Sequence, residues 1–172
     1  MSKSFSIEID FSYGWCLLFM AQGDNSVRIK NHWSNDAFVD LVHSIRLLLE
    51  GKNSISSRWQ HEISGGNFID IVSTPRSSLD IAVHRFYYGI ESESVETIWS
   101  ATRGELEFQA HVPTREFVGE FASALRRVRS FSTNPTGEIN QWKHIFPIYE
   151  HEKIENKASS IGATIKSYNE FH

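Results

Sequence analysis

The stretch "VRIKNHWSNDAFVDLVHSIRLLLEG", residues 27–51, changes its period partway along, and that change decides the fold. Val27, Ile29 and Trp33 fall on one parity and Arg28, Lys30 and His32 on the other, the two-residue repeat of a half-buried strand. Past that point Phe38, Leu41, Val42, Ile45, Leu48 and Leu49 fall within one arc of a 3.6-residue repeat, the apolar stripe of a helix. Ser34 or Asn35 supplies an N-cap, and Gly51 stands where a C′ residue belongs. Asp36, Asp40 and His43 cluster opposite the stripe, with Leu47 among them.

Upstream, Phe5, Ile7, Ile9 and Phe11 alternate with Ser4, Ser6, Glu8 and Asp10, and residues 15–21 are apolar throughout, as in a central strand. Downstream, strands are expected over 57–63, 68–72 and 79–87, separated by the turn signals "SGGN" and "TPRSS". Residues 94–102 and 105–112 form a hairpin if Arg103 and Gly104 make the bend. Trp99 then faces Phe108 and Ala101 faces Leu106 on the inner side, while Ser100 faces Glu107 and Glu96 faces His111 outside. Pro113 and Thr114 open a second helix with Phe117, Val118, Phe121, Ala122, Leu125 and Val128 on one side, ending near Ser130. Arg126, Arg127 and Arg129 fall in its last turn, where the helix dipole favours cations. Ile154, Ala158 and Ile161 mark a weaker third helix, and residues 163–172 are expected to fray.

No strand–helix–strand rhythm is present, so the expected class is α+β: one antiparallel meander of seven or eight strands, two main helices on one face, and the weaker C-terminal helix. With 172 residues, 40% of them hydrophobic, a single domain over 1–172 is expected. Cys16, inside "GWCLLFMA", reads as a small buried hydrophobe. The start "MSKSFSIEIDFSY" lacks a signal-peptide core, and no run reaches the roughly 18 apolar residues that span a bilayer. A cytoplasmic chain without membrane attachment is the expectation. A net charge of −4 argues against non-specific nucleic-acid binding.

The eight histidines form no H-x-H, and neither His61-Glu62 nor His151-Glu152 extends to H-E-x-x-H. There is no G-x-S-x-G, Walker or G-x-G-x-x-G motif, so no catalytic, metal or cofactor site is assigned. Asp36, Asp40 and His43 read as a solvated helix face on which Leu47 offers a small secondary contact surface. A cleft assembled from His61, Glu62, His84 and His111 is the route to a hydrolase or transferase. Five glutamates, Glu91, Glu93, Glu96, Glu105 and Glu107, stand against one base, Arg103, with Tyr87 and Tyr88 nearby. The glutamates read either as a solvated, edge-protecting face or as a docking surface for a basic partner, and the tyrosines either as its aromatic anchors or as core residues ending their strand. The "QWKHIFPIY" segment either closes the core or docks on another chain, as in an adaptor subunit.

"HWSNDAFVDLVHSIRLLLEGK", "SRWQHEISGG" and "INQWKHIFP", taken in order, resemble small bacterial α+β immunity proteins of polymorphic toxin and contact-dependent growth inhibition systems. The sequence departs from relatives that place Pro after the strand-end Glu, since Ile63 follows Glu62. The resemblance implies a non-catalytic cytosolic inhibitor that binds a cognate toxin C-terminal domain, and a basic nuclease would be met by an acidic face.

Overall fold

The computed structural model describes residues 3–32, 35–62, 65–87, 102–140, 142 and 144–167. Strands β1 (Phe5–Ser12), β2 (Trp15–Gln22) and β3 (Asn25–His32) form one antiparallel sheet in that order. Helix α1 (Ala37–Leu49) follows, and then β4 (Ser54–Glu62), β5 (Gly65–Thr74), β6 (Ser78–Tyr87) and β7 (Leu106–Pro113) form a second antiparallel sheet. Helices α2 (Thr114–Phe131) and α3 (Ile148–Ser160) complete the α+β architecture.

The expected single meander is therefore two, of three and four strands, because α1 takes the chain away after β3 and the second sheet builds its own ladder. Side chains from the β2–β3 hairpin bridge the gap: Gln22 Nε2 donates to the His111 carbonyl at 3.0 Å, and Asn25 Nδ2 to the Gln109 carbonyl at 2.9 Å. These bonds occupy acceptors along the outer edge of β7, where an unsatisfied strand edge invites unwanted pairing.

The alternation in β1 is realised, with Phe5, Ile7, Ile9 and Phe11 all buried. So is the stripe of α1, whose Phe38, Leu41, Val42, Ile45 and Leu48 are buried and whose Leu49 packs at the margin. The helix starts two to three residues beyond the expected cap. Asn35 Oδ1 accepts the Ala37 N–H at 3.2 Å, and Gly51, with φ +113°, follows the last turn. Helix α2 lies along β1, α1 lies against β4, and α3 packs on both helices. Ile7, Leu18 and Met20 of sheet 1, Ile69 and Ile71 of sheet 2, and Leu41, Ile45, Phe117 and Phe121 of the helices meet in one core.

Two local expectations change. The glycines of "SGGN" lie inside β5 rather than in the turn, and there a Cβ on Gly66 would collide with the Trp59 carbonyl oxygen of the neighbouring strand. Strands this close accept only glycine. The C-terminal segment also begins by docking: Ala163 and Ile165 pack on the core, the Lys166 N–H donates to Ser123 Oγ at 2.9 Å, and Lys166 Nζ reaches Glu120 at 2.7 Å. Residues 168–172 of the expected frayed tail lie outside the described residues.

In α3 the buried residues are His151, Ile154 and Ala158. The His151 ring packs edge-on against Phe146, and its Nε2 approaches Glu155 Oε1 at 3.1 Å without hydrogen-bond geometry. Burial holds this imidazole below its usual range, and the charges of Arg129 and Arg126 act in the same direction against Glu155.

Two outcomes follow from this packing. A methyl group on Gly119 would meet the Thr164 carbonyl oxygen at 2.5 Å, so Gly119→Ala is expected to displace residues 163–167. The cost is about 1–3 kcal/mol, read as faster amide exchange at Lys166 with core amides unchanged. Because the folded chain binds the His151 proton less well than the unfolded chain, stability is complete above about pH 6.5 and falls as pH drops below it. His151→Phe should flatten that decline in urea melts across pH, and an unchanged slope would assign the decline to another group.

Candidate partner-binding surface

The face of sheet 2 turned away from the core is a grid set by strand register. One row runs Arg58, Phe68, His84 and Leu106, and the next Ser56, Asp70, Ala82 and Gln109. A third runs Ser54, Val72, Asp80 and His111. Phe68 and Phe86 pack with ring centroids 4.9 Å apart, and the guanidinium of Arg58 stands 5.8 Å from the Phe86 centroid. Phe86 is buried there, apart from the main core. Arg103 reaches across from the segment before β7 and lies over Phe68 at 4.6 Å. Its Nε and Nη2 both donate to Asp70 at 2.5 Å, and Nη2 also donates to Ser56 Oγ at 2.8 Å. Burial alone would raise the Asp70 carboxyl, but hydrogen bonds from Arg103 and Ser56 and the charges of Arg103 and His84 outweigh it and hold it below the carboxylate range.

The end of this sheet carries a second network. Between Val83 and His84 the β6–β7 register shifts, leaving Glu107 as the extra residue of a bulge. The bulge moves Leu106 off the inner parity of Phe108, so Leu106 is 47% exposed rather than facing inward as the sequence implied. It also turns Glu107 toward the cross-strand pair Asn67 and Arg85. Glu107 Oε1 is 2.5 Å from Arg85 Nη2, and Oε2 accepts from Asn67 Nδ2 at 2.6 Å. Expected on an open acidic face, Glu107 is instead half-buried and neutralised. Arg85 in turn donates to the Tyr87 hydroxyl at 3.0 Å and stands 5.9 Å from its ring, while Tyr87 remains 66% exposed. The hydrogen bond from Arg85 to Tyr87 is foremost in stabilising the guanidinium charge, with Glu107 adding to it against the effect of burial. Glu105 is exposed alongside, its carbonyl accepting the Arg85 N–H at 2.8 Å.

Of the other acidic-hairpin residues, Glu91, Glu93 and Glu96 lie outside the described residues, as do Tyr88 and residues 94–101 of the strand expected over 94–102. The described partner of β7 is β6.

The stripe on α1 faces away from the core as expected, but it is not simply wet. Asp36 Oδ1 meets His144 Nδ1 at 2.7 Å, and His43 Nδ1 lies 3.5 Å from Glu150 Oε1, so the C-terminal segment covers one flank. On the other flank Asp36, Asp40 and Ser44 face Ser56, Arg58 and Gln60 of β4 across an open cleft of about 300 Å³. Burial, followed by the negative charge of Asp36, raises the Asp40 carboxyl, with His43 opposing. Leu47 is half-buried. The cleft thus links the helix stripe to the sheet grid at Ser56 and Arg58.

Of the histidines considered for acid–base work, His84 and His111 are not brought together by the register. His84 sits in the row of Phe68 and Leu106 with its Nδ1 3.4 Å from the Gly104 carbonyl oxygen, and His111 lies two rows away, 2.6 Å from Asp80 Oδ1. The side chains of His61 and Glu62 lie outside the described residues. Cys16 is fully buried, and that burial, with the charge of Asp10 adding, pushes its thiol well up. Among the described residues no group of three or more His, Cys, Asp or Glu is placed to hold a metal ion, and no helix is long and apolar enough to cross a membrane.

Sequence reasoning did not find the Arg58, Phe68, Phe86 and Arg103 assembly. Its signal was the outward parity of residues 56, 58 and 60 and of 68 and 70, but which strands stand side by side is not written in that parity. Comparison with family models, with curated proteins and with solved structures yields no match.

The Arg103–Asp70 pair contributes above about pH 3.9 and is lost as pH falls below that value, because the folded state holds the carboxylate more strongly than the unfolded chain. With Arg103 partly exposed, Asp70→Asn should cost only about 0.5–1 kcal/mol at pH 7 in urea melts, and less at pH 3. An equal cost at both values would mean packing, not charge, holds the pair.

Proposed function

We propose that this chain is a cytosolic immunity protein that binds a cognate toxin domain, neutralising it through a protein–protein interface without catalysis. The observation that carries the reading is Tyr87, an aromatic side chain left two-thirds exposed yet fixed by Arg85, which is itself fixed by Glu107. An exposed aromatic residue already held in one place loses little conformational entropy on binding, the property of an interface anchor. Leu106 supplies apolar surface and Glu105 negative charge at the same end of sheet 2. The resemblance of three sequence segments to immunity proteins supports the same assignment and supplies the class of partner. A basic toxin, such as a nuclease, suits the exposed Glu105 and the acidic residues that precede it in sequence.

The test is to express the C-terminal domain of the protein encoded immediately upstream, measure growth with and without this chain, and titrate the two by calorimetry. Rescue of growth and a tight complex are expected. Tyr87→Ala should weaken the complex by about 2 kcal/mol or more, roughly thirtyfold. Glu105→Lys should chiefly slow association and reduce its salt dependence. Glu107 is a poor probe, because reversing its charge would also break the contacts with Arg85 and Asn67. Rescue with unchanged affinity in both variants would keep the immunity assignment but move the interface, while failure to rescue would overturn it.

A further inference from the structure

The "QWKHIFPIY" segment and the helix after it carry a surface that the toxin-binding reading does not use. An open groove of about 470 Å³ runs between the C-terminal halves of α1 and α3, lined by Arg46, Leu49, Glu50, Lys153, Ile154 and Lys157 among others. Ile154 is buried and Leu49 half-buried, which gives the groove an apolar floor. Its walls hold three cations against one carboxylate. Arg46 meets that carboxylate, Glu50, at 2.5 Å, but its Nε is buried with no hydrogen-bond acceptor.

Beside the groove, Tyr149 is 58% exposed, and two cations stand over its ring: the Arg46 guanidinium at 5.8 Å and the Lys153 ammonium at 5.5 Å. Ile145, just before this helix, is 70% exposed. Lys157 is explained in part by the negative end of the α3 dipole, whereas Lys153 lies before the last turn, beyond its reach. The positive walls therefore exceed what helix stability requires.

We propose that the α1–α3 groove binds an acidic segment of a partner protein. Its carboxylates pair with Lys153 and Lys157, and an adjacent apolar side chain packs on Tyr149, which Arg46 and Lys153 tie to the groove. Charge complementarity selects this occupant over a basic one. A bilayer fits less well, since the site is concave and a lipid surface is flat. The groove involves none of the residues assigned to toxin binding, so the two proposals stand or fall separately.

The probe is a fluorescein-labelled twelve-residue peptide of Glu interspersed with Leu and Phe, titrated with the full chain by fluorescence anisotropy. A control peptide has Gln for every Glu. Saturable binding is expected, at least tenfold weaker for the control and weakened by salt. Lys153→Glu combined with Lys157→Glu should lower affinity at least tenfold, the milder Lys153→Gln with Lys157→Gln should lower it less, and Tyr87→Ala should leave it unchanged. Circular dichroism confirms that each variant folds, and the glutamine pair serves if the charge-reversed pair does not. Equal affinity for both peptides, no binding of the acidic peptide, or indifference to the lysine changes would overturn the proposal. So would binding to phosphatidylserine vesicles in preference to the peptide. Self-association in sedimentation velocity that Ile145→Asp abolishes would also overturn it, by assigning the face to a second copy.

Discussion

Two sheets that share no backbone ladder among the described residues must be joined by what lies between them, and here that is a single apolar interior. Ile7, Leu18 and Met20 from one sheet and Ile69 and Ile71 from the other meet there with Leu41, Ile45, Phe117 and Phe121 of the helices. At about 25 cal/mol per Å² of apolar surface removed from water, such a shared interior outweighs the two side-chain bonds at Gln22 and Asn25. The helices are therefore the mortar of the fold. Both outer surfaces, the grid on sheet 2 and the groove of α1 and α3, inherit their geometry from them.

Periodicity makes elements legible and leaves their partners obscure. The alternation of β1, the stripe of α1 from Phe38 to Leu49, and the stripe of α2 from Phe117 to Val128 could be read directly, because each reports only whether its own residue meets water. The division into two sheets could not, since nothing in β3 or β4 records which edge each strand will meet. Gly65 and Gly66 misled for a related reason. Glycine marks a turn and a close backbone crossing alike, and only the position of Trp59 on the neighbouring strand separates the two.

The site was legible to a similar depth. Glu105 was read as outward-facing and is exposed, whereas Tyr87 read equally as anchor or as core, and only the structure shows it exposed. Glu107 was grouped with them on parity, and one extra residue in a bulge reversed that parity and gave it to Arg85 and Asn67. Arg103, read only as part of a bend, places its side chain over Phe68 in a two-pronged bond with Asp70, a partner 33 positions away. Long-range charge pairs of this kind leave no local trace in a sequence. The stripe on α1 combined both cases: its outward direction follows from the helix, but its cover by His144 and Glu150 comes from a segment a hundred residues later.

The amide of Asn25 gives the chain a slow chemical clock. Its Nδ2 donates to the Gln109 carbonyl from an exposed hairpin position, and Ser26, a small residue, follows it. Asparagine is among the least durable side chains, and hydrolysis of its amide leaves a carboxylate. That carboxylate would face a carbonyl oxygen with no proton to offer, so such a change would unfasten the Asn25 clasp and free the Gln109 acceptor on the described edge of β7. The protein would then lose its protection against strand pairing before it lost its core.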